Sequence, residues 1–314
     1  MDKREILQAL RPYTNCHRPT EKPNAFIFSM PRSGSTWLQE LIWTQPGFKY
    51  CNEPLNLKGN FLQKRSAISG FEELYRPSSR DKVVDYLRLF CIGKHHFLDP
   101  SPLKKYYRPI TNRIVFKIIH GGEIFINDIA EKCNGKVIFL IRHPIAVSLS
   151  RKVLPRLNVL CSAQILQQFS PSQQQLARKI QAEGTFLEKG VLSWCIQNQL
   201  ALWQRNPDWL VITYEQLTVE PKPIIDALVE QLGLSHPERI WQQLNIPSAV
   251  TVQSEQKAVE MMAGEQQQRR LLIERWREKV LPEEASHLMQ IVADFELDVY
   301  TDNNSYPEPS WLLS

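Results

Sequence analysis

The sequence predicts an α/β fold in which helices flank a doubly wound, parallel sheet. Short apolar runs typical of buried strands alternate along the chain with segments whose apolar residues have helical spacing. This alternation favours a parallel sheet built from βαβ units. No internal repeat and no Gly/Ser-rich or Pro-rich linker divides the pattern, so we expect a single domain over residues 1–314.

The predicted elements follow one another in a regular order. Strands are expected at 25–29, 48–52, 114–119, 136–141 and 209–214. Helices are expected at 35–44, 123–132, 144–151 and about 186–205, with a mainly helical stretch over 72–97 and further helices after the last strand.

Two stretches, 55–110 and 152–189, do not fit this rhythm. Both follow predicted strand ends, where open α/β sheets bind ligands, so we expect them to form a mainly helical lid over the site. The glutamines between Gln167 and Gln175 are consistent with a mobile lid or with a loosely ordered, solvated segment.

Composition excludes several classes of protein. The net charge of +5 is mild and forms no concentrated basic stripe, so no nucleic-acid partner is expected. No apolar run is long enough to span a membrane, and the N-terminus lacks a secretory apolar region. The six cysteines are dispersed, without metal-ligand spacing, which predicts a reduced, cytoplasmic protein without a metal site. Adjacent His95 and His96 would point apart on a helix and are expected at the surface.

A short loop with the sequence M-P-R-S-G-S-T-W links the first predicted strand to the first predicted helix. The N–H groups of such a loop and the positive end of the helix dipole point at one place, where an anion can bind. Ser33, Ser35 and Thr36 add hydroxyl donors, and Arg32 adds a fixed charge. The loop is P-loop-like but is not a Walker A motif, which has a lysine after its second glycine.

A second anion-binding pair is predicted after the strand at 136–141. Arg142 follows the strand directly, and Pro144 suits the first turn of the next helix. Arg142 therefore lies at the carboxyl end of a strand, where open α/β sheets place ligand contacts. Ser150 follows eight residues later, about two helical turns along.

These two motifs resemble those of sulfotransferases that use 3′-phosphoadenosine 5′-phosphosulfate (PAPS). The loop is similar to the family's 5′-phosphosulfate loop, P-[KR]-S-G-[ST]-T-W, and the Arg–Ser pair is similar to the one that holds the 3′-phosphate. The resemblance extends from about residue 25 to residue 276 and is to soluble, bacterial-type members. It implies that the donor nucleotide, whose product is adenosine 3′,5′-bisphosphate, binds at Arg32, Ser33, Gly34, Ser35, Thr36, Trp37, Arg142 and Ser150.

Two further segments resemble the same family. Tyr214 lies in a Y-E-x-L segment similar to the family's Y-E-D-L, whose tyrosine is near the adenine. Arg269 and Arg270 resemble the start of an R-K-G loop that closes over the 3′-phosphate. Leu271 stands where that loop has glycine, so the resemblance implies their charge rather than a backbone N–H contact.

The resemblance also implies catalytic roles. Arg32 would neutralise charge on the leaving phosphate, and Lys117 would orient the acceptor or the sulfonate. Two residues are candidates for the general base that removes the acceptor proton. Glu53 resembles the base of carbohydrate-type members, and His120 resembles that of cytosolic members. Because Arg32 also fits the carbohydrate-type pattern, the sequence favours Glu53, and a nearby sulfonate is expected to raise the pKa of its carboxyl.

The sequence thus predicts sulfuryl transfer to a hydroxyl, or an amine, of a small organic acceptor, without a metal. Acceptor identity and oligomeric state are not indicated. Two alternatives remain: a P-loop kinase that uses ATP, and a non-catalytic protein that binds adenine nucleotides.

Overall fold

In a computed structural model, the described residues are 6, 15–57, 68–95, 97, 100, 102–248, 260, 261, 264, 266–301 and 304–314. The strands are β1 (Cys16–His17), β2 (Asn24–Ser29), β3 (Phe48–Asn52), β4 (Ile110–Thr111), β5 (Arg113–Ile118), β6 (Gly135–Ile141) and β7 (Leu210–Thr213). The α-helices are α1 (Ser35–Trp43), α2 (Arg80–Cys91), α3 (Ile126–Lys132), α4 (Pro144–Leu149), α5 (Leu157–Leu160), α6 (Ala163–Leu166), α7 (Pro171–Glu183), α8 (Phe186–Leu202), α9 (Tyr214–Val219), α10 (Pro221–Leu232), α11 (Pro237–Leu244), α12 (Gln266–Glu274) and α13 (Pro282–Asp294). Short 3₁₀ helices occur at Glu73–Tyr75, Pro77–Ser79, Arg275–Glu278 and Pro309–Trp311.

Five strands form one sheet in the order β3-β5-β2-β6-β7, and every neighbouring pair is parallel. The first of these strands along the chain, β2, therefore lies at the centre. The chain builds β3 and β5 on one side of it and then crosses to β6 and β7 on the other. Ligand sites in such sheets lie at the carboxyl ends of the strands where the order reverses, which here is the end of β2.

Both faces of the sheet are covered, which confirms the predicted doubly wound α/β class. Along β2, Phe26 and Phe28 belong to one apolar core, whereas Ala25 and Ile27 belong to a second. Side chains alternate between the faces of a strand, so a strand with both faces covered has a continuous apolar sequence. The first core is completed mainly by α2, α3, α8 and α13, and the second by α1, α10, α11 and α12. The single domain over residues 1–314 stays a prediction.

From Pro171 onwards the glutamine-rich stretch is a regular helix, whereas Gln167 and Gln168 lie in the turn between α6 and α7. Helix α7 starts at a capping box, in which the Ser170 hydroxyl accepts from the Gln173 N–H (3.3 Å) and the Gln173 side chain accepts from the Ser170 N–H (3.1 Å). The Gln173 amide also donates to the carbonyl of Asp294 (3.0 Å). Helix α7 is thereby attached to the end of α13.

The expected surface position of His95 is wrong. His95 is buried, with its ring centroid 4.1 Å from that of Phe90, because the chain after α2 turns back into the core. His95 is therefore not a surface residue. Its neighbour His96 lies outside the described residues, and so do residues 58–67 of the first predicted lid stretch.

The small parallel sheet of β1 and β4 was not predicted, since two-residue strands carry no periodicity. Across the described part of the chain, no helix has the length and apolar character needed to cross a bilayer.

Asn24 connects the three central strands at their amino ends. Its amide nitrogen donates to the carbonyl of Cys133 (2.8 Å), and its amide oxygen accepts from the Ile114 N–H (2.8 Å). Asn24 is buried, so these groups have little access to water.

We expect Asn24→Ala to lower the free energy of unfolding by about 2–4 kcal/mol, because two buried backbone groups lose their partner. Urea denaturation measures the change. Asn158→Ala, at an exposed position of α5, is the matched control and should stay within about 0.5 kcal/mol of the native protein. Equal stabilities for the two variants would contradict the role given to Asn24.

Candidate active site

One cavity of about 180 Å³ receives a side chain from each of the five sheet strands or from the residues that follow them. Arg32 comes from the loop after β2, Glu53 follows β3, Lys117 lies in β5, Arg142 follows β6, and Tyr214 follows β7. We call it the loop cavity. Its complete lining is Pro31, Arg32, Gly34, Ser35, Thr36, Trp37, Glu53, Lys117, Ile119, Arg142, Tyr214 and Ser248.

The backbone of the loop depends on glycine at position 34. Gly34 has φ of +91°, and a Cβ atom there would lie 2.5 Å from Cδ2 of Tyr214. Gly34 is also the N-cap of α1 and provides no side-chain hydrogen bond to the first turn. The N–H groups of that turn therefore keep their capacity to bind an anion in the cavity. Ser33, in the same loop, is buried and does not line the cavity.

Arg142 is fixed by contacts on several sides. Its guanidinium carbon lies 4.2 Å from the ring centroid of Tyr214, and its Nη1 donates to the carbonyl of Arg32 (3.1 Å). The Trp194 indole donates to the Arg142 carbonyl (2.9 Å). Ser150, the predicted partner of Arg142, does not line the loop cavity. The Ser150 hydroxyl instead donates to the carbonyl of Val147 (2.9 Å). The structure therefore brings Arg142, but not Ser150, to the loop.

Lys117 links the loop to Glu53. Its ammonium lies 2.9 Å from Oε1 of Glu53 and donates to the Thr36 hydroxyl (3.0 Å). Burial raises the pKa of Glu53, but Lys117 and a hydrogen bond from Asn56 outweigh it, so the pKa lies below its ordinary value. The sequence led us to expect a raised pKa. That expectation presumed a bound sulfonate, whereas in the protein alone the nearest charge is the ammonium of Lys117.

A second cavity, of about 320 Å³, adjoins the first and shares Pro31 and Arg32 with it. We call it the outer cavity. Its wall includes His120 and Arg151, and most of its other lining residues belong to the predicted lid stretches: Phe71 and Tyr75 in the first, and residues between 152 and 160 in the second. Burial, followed by the charge of Arg156, lowers the pKa of His120 to about 4. His120 is therefore neutral at neutral pH and able to accept a proton.

The predicted C-terminal arginines lie elsewhere. Arg269 donates to the carbonyl of Gly264 (3.2 Å) and to the Asn245 side chain, and Arg270 forms an ion pair with Glu220 (3.5 Å). Neither lines the loop cavity. Ser248 does line it and was missed, because no motif marks the segment after α11. Among the described residues, no cluster of three or more His, Cys, Asp or Glu is suited to hold a metal ion.

We expect Gly34→Ala to destabilise the protein more than Gly233→Ala does. Both glycines have positive φ, but a Cβ at Gly233 would have no atom within 4 Å. The control should lose about 1 kcal/mol from backbone strain alone. Gly34→Ala should lose about 1–3 kcal/mol more because of the contact with Tyr214. Urea denaturation compares them, and equal losses would show that the ring does not constrain the loop.

Comparisons with known proteins bear on the family. A family model described as the sulfotransferase domain matches residues 22–297. No curated protein matches the chain significantly. Among solved structures, the chain is similar to the sulfotransferase domain from the Synechococcus PCC 7002 olefin synthase, with 18% identity over 90% of this chain and 98% of that chain and a TM-score of 0.48.

Two other solved structures are similar to a smaller share of the chain. The sulfotransferase domain from the curacin biosynthetic pathway has 21% identity over 72% of this chain and 78% of that chain, with a TM-score of 0.39. Sulfotransferase STF1 from Mycobacterium tuberculosis H37Rv has 14% identity over 77% of this chain and 75% of that chain, with a TM-score of 0.36. Because the family model covers most of its length, the chain belongs to the sulfotransferase family.

Proposed function

We propose that the protein transfers the sulfuryl group of PAPS to a hydroxyl, or an amine, of a small organic acceptor. One observation carries the proposal: Arg32, Lys117 and Arg142 meet the amino end of α1 in a single cavity. Three cations and a helix N-terminus suit a donor that carries phosphate on both its 5′ and its 3′ side. The loop and the Arg142 motif, identified from sequence, agree with this donor.

Several residues of the loop cavity have a proposed part in donor binding. Ser35 and Thr36, at the start of α1, would hold the 5′-phosphosulfate, with Arg142 on the 3′-phosphate. Ser150 would join Arg142 only if its hydroxyl turned away from the Val147 carbonyl. An adenine contact for Tyr214 and a 3′-phosphate contact for Arg269 or Arg270 stay predictions.

The chemistry requires little beyond placement and charge. In sulfuryl transfer the acceptor oxygen forms a bond to sulfur as the bond from sulfur to the phosphate oxygen breaks, and negative charge grows on the leaving phosphate. Arg32 lines both cavities, so it suits neutralisation of that charge, and its guanidinium stays protonated throughout. Lys117 is close enough to Thr36 to orient the sulfonate. The acceptor proton passes to a base.

Glu53 remains our proposed base, with His120 as the alternative. A sulfonate beside Lys117 would compete for its ammonium and so raise the pKa of Glu53 towards a useful range. His120 lines the outer cavity and is neutral, so it could take the proton, but a pKa of about 4 makes its ring a weak base. We propose a cytoplasmic location because the six cysteines are dispersed along the chain and form no disulfide with one another.

Assays with PAPS and with ATP test this function. We expect transfer from PAPS that persists in a chelator, because protein cations do the neutralising, and no transfer from ATP. Calorimetry should show adenosine 3′,5′-bisphosphate binding about 10–100-fold more tightly than the 5′-monophosphate, since one charge-assisted phosphate contact is lost. Magnesium-dependent transfer from ATP would favour the kinase. Tight nucleotide binding without transfer to any acceptor would favour a binding protein.

A pair of variants tests the base. Glu53→Gln keeps the size of the side chain and removes the base, so turnover should fall by about 10²-fold or more with nucleotide binding intact. His120→Asn should cost less, through acceptor placement. Glu183→Gln, exposed at the end of α7, is the matched control and should leave turnover unchanged. An active Glu53→Gln protein beside an inactive His120→Asn protein would reverse the assignment.

A further inference from the structure

The outer cavity has a strongly one-sided charge. Its lining includes Arg32, Arg151, Lys152 and Arg156, and no aspartate or glutamate occurs among its described lining residues. A carboxylate does lie behind the wall, at Glu123, which accepts a hydrogen bond from Tyr75 (3.2 Å). Burial raises the pKa of Glu123, so this group favours its neutral form and compensates little of the positive charge.

Arg151 is the most buried of these cations. Its Nε and Nη2 atoms are buried and have no hydrogen-bond partner among the described residues. Burial lowers its pKa to about 10, which still leaves it charged at neutral pH. Buried guanidinium N–H groups without an acceptor are unfavourable, so their retention in the wall of a cavity indicates that a ligand supplies the partner.

Arg156 completes the site at the rim. Its guanidinium carbon lies 3.6 Å from the ring centroid of Phe71, which holds the charge over the cavity. Burial is the main cause of the lowered pKa values of Arg151 and His120. The positive charge of Arg156 is near enough to lower both pKa values further. The two arginines therefore repel each other, and an anion placed between them would relieve that repulsion.

Most of the rest of the wall is apolar, although the buried side chains of Ser193 and Gln197 also line it. Val159 and Leu160 are buried in it, whereas Val153 and Leu154 are exposed beside it, 75% and 54%. The cavity therefore combines Arg32, which it shares with the loop cavity, with His120, apolar side chains and the pair Arg151 and Arg156.

We propose that the acceptor is an amphiphile: a hydroxyl group and an anionic group, carboxylate or phosphate monoester, joined by an apolar body. The anion binds Arg151 and Arg156 while the hydroxyl lies at Arg32. This inference rests on the proposed sulfuryl transfer, because it names the acceptor class of the same site. It makes Arg151 and Arg156 determinants of acceptor specificity rather than of donor binding.

Calorimetry without any nucleotide tests the anion site with octanoate, octyl phosphate and octanamide. We expect at least one of the two anions to bind about tenfold or more tightly than the amide, since a charge-assisted pair is worth at least that factor; the tighter anion identifies the headgroup. Arg151→Gln and Arg156→Gln should each weaken anion binding by about tenfold or more, with amide binding unchanged. Arg156 is exposed, so its variant remains informative should Arg151→Gln fold poorly.

Arg178→Gln, exposed on α7, carries the same charge change outside the cavity and should leave anion binding unchanged. Equal binding of amide and anions would overturn the proposal. So would cavity variants that lose affinity for adenosine 3′,5′-bisphosphate instead, since that result would assign these arginines to the donor.

A second assay separates this inference from the proposed function. With PAPS as donor, kcat/KM for 8-hydroxyoctanoate should exceed that for 8-hydroxyoctanamide by about tenfold, and Arg151→Gln should remove the difference. Equal kcat/KM values in an active enzyme would overturn the acceptor class alone. Arg151-dependent anion binding in a protein that transfers sulfate to no acceptor would overturn the transferase function and support the anion site.

Discussion

The geometry of the loop cavity depends on the ring of Tyr214. The ring fills the space that a side chain at position 34 would need, lies edge-on to Trp37 with centroids 5.9 Å apart, and has the Arg142 guanidinium over it at 4.2 Å. One aromatic residue thus sets the spacing between the loop after β2, helix α1 and the arginine after β6. Because Tyr214 follows the edge strand β7, the half of the sheet from β2 to β7 is needed to shape the loop.

A buried polar cluster fixes the strand end that carries Arg142. His143 stacks on Trp276 with centroids 4.5 Å apart, and its backbone N–H donates to Glu215 (3.0 Å), which also accepts from the Tyr300 hydroxyl (2.5 Å). Burial, followed by the charges of Arg277 and Arg142, lowers the pKa of His143 to about 3, so the ring is neutral. A neutral ring can pack closely on an aromatic face without adding to the positive charge of the site. The cluster joins the end of β6 to α9 and to the segment after α13. Parts of the chain that are distant in sequence therefore hold the backbone next to Arg142 in place.

How much the sequence predicts depends on how local the signal is. All five sheet strands were predicted to within about one residue, because strands buried on both faces are continuous apolar runs. The start of α7 is also local in origin, since Ser170 and Gln173 form an S-x-x-Q capping box. Tyr214 was assigned to a strand and instead begins α9, since an aromatic residue suits either position. The position of the Ser150 hydroxyl and the place of Arg151 in a cavity wall depend on tertiary packing, which spacing along the chain does not encode.

Backbone strain singles out two residues at the site. Among the described residues, Arg32 and Glu53 are two of four non-glycine positions with positive φ, at +76° and +49°. Such a conformation costs about 1–3 kcal/mol and persists only where the surroundings enforce it. Here the Arg32 carbonyl accepts a hydrogen bond from Arg142 (3.1 Å). The Glu53 N–H donates to the carbonyl of Lys117 (3.0 Å), and the Lys117 ammonium pairs with the Glu53 carboxylate. Each strained residue is therefore held by a cationic residue of a neighbouring strand. Glycine would remove the strain at either position, but it would also remove the guanidinium or the carboxylate from the cavity, so the strain is explained by the need for those charged groups.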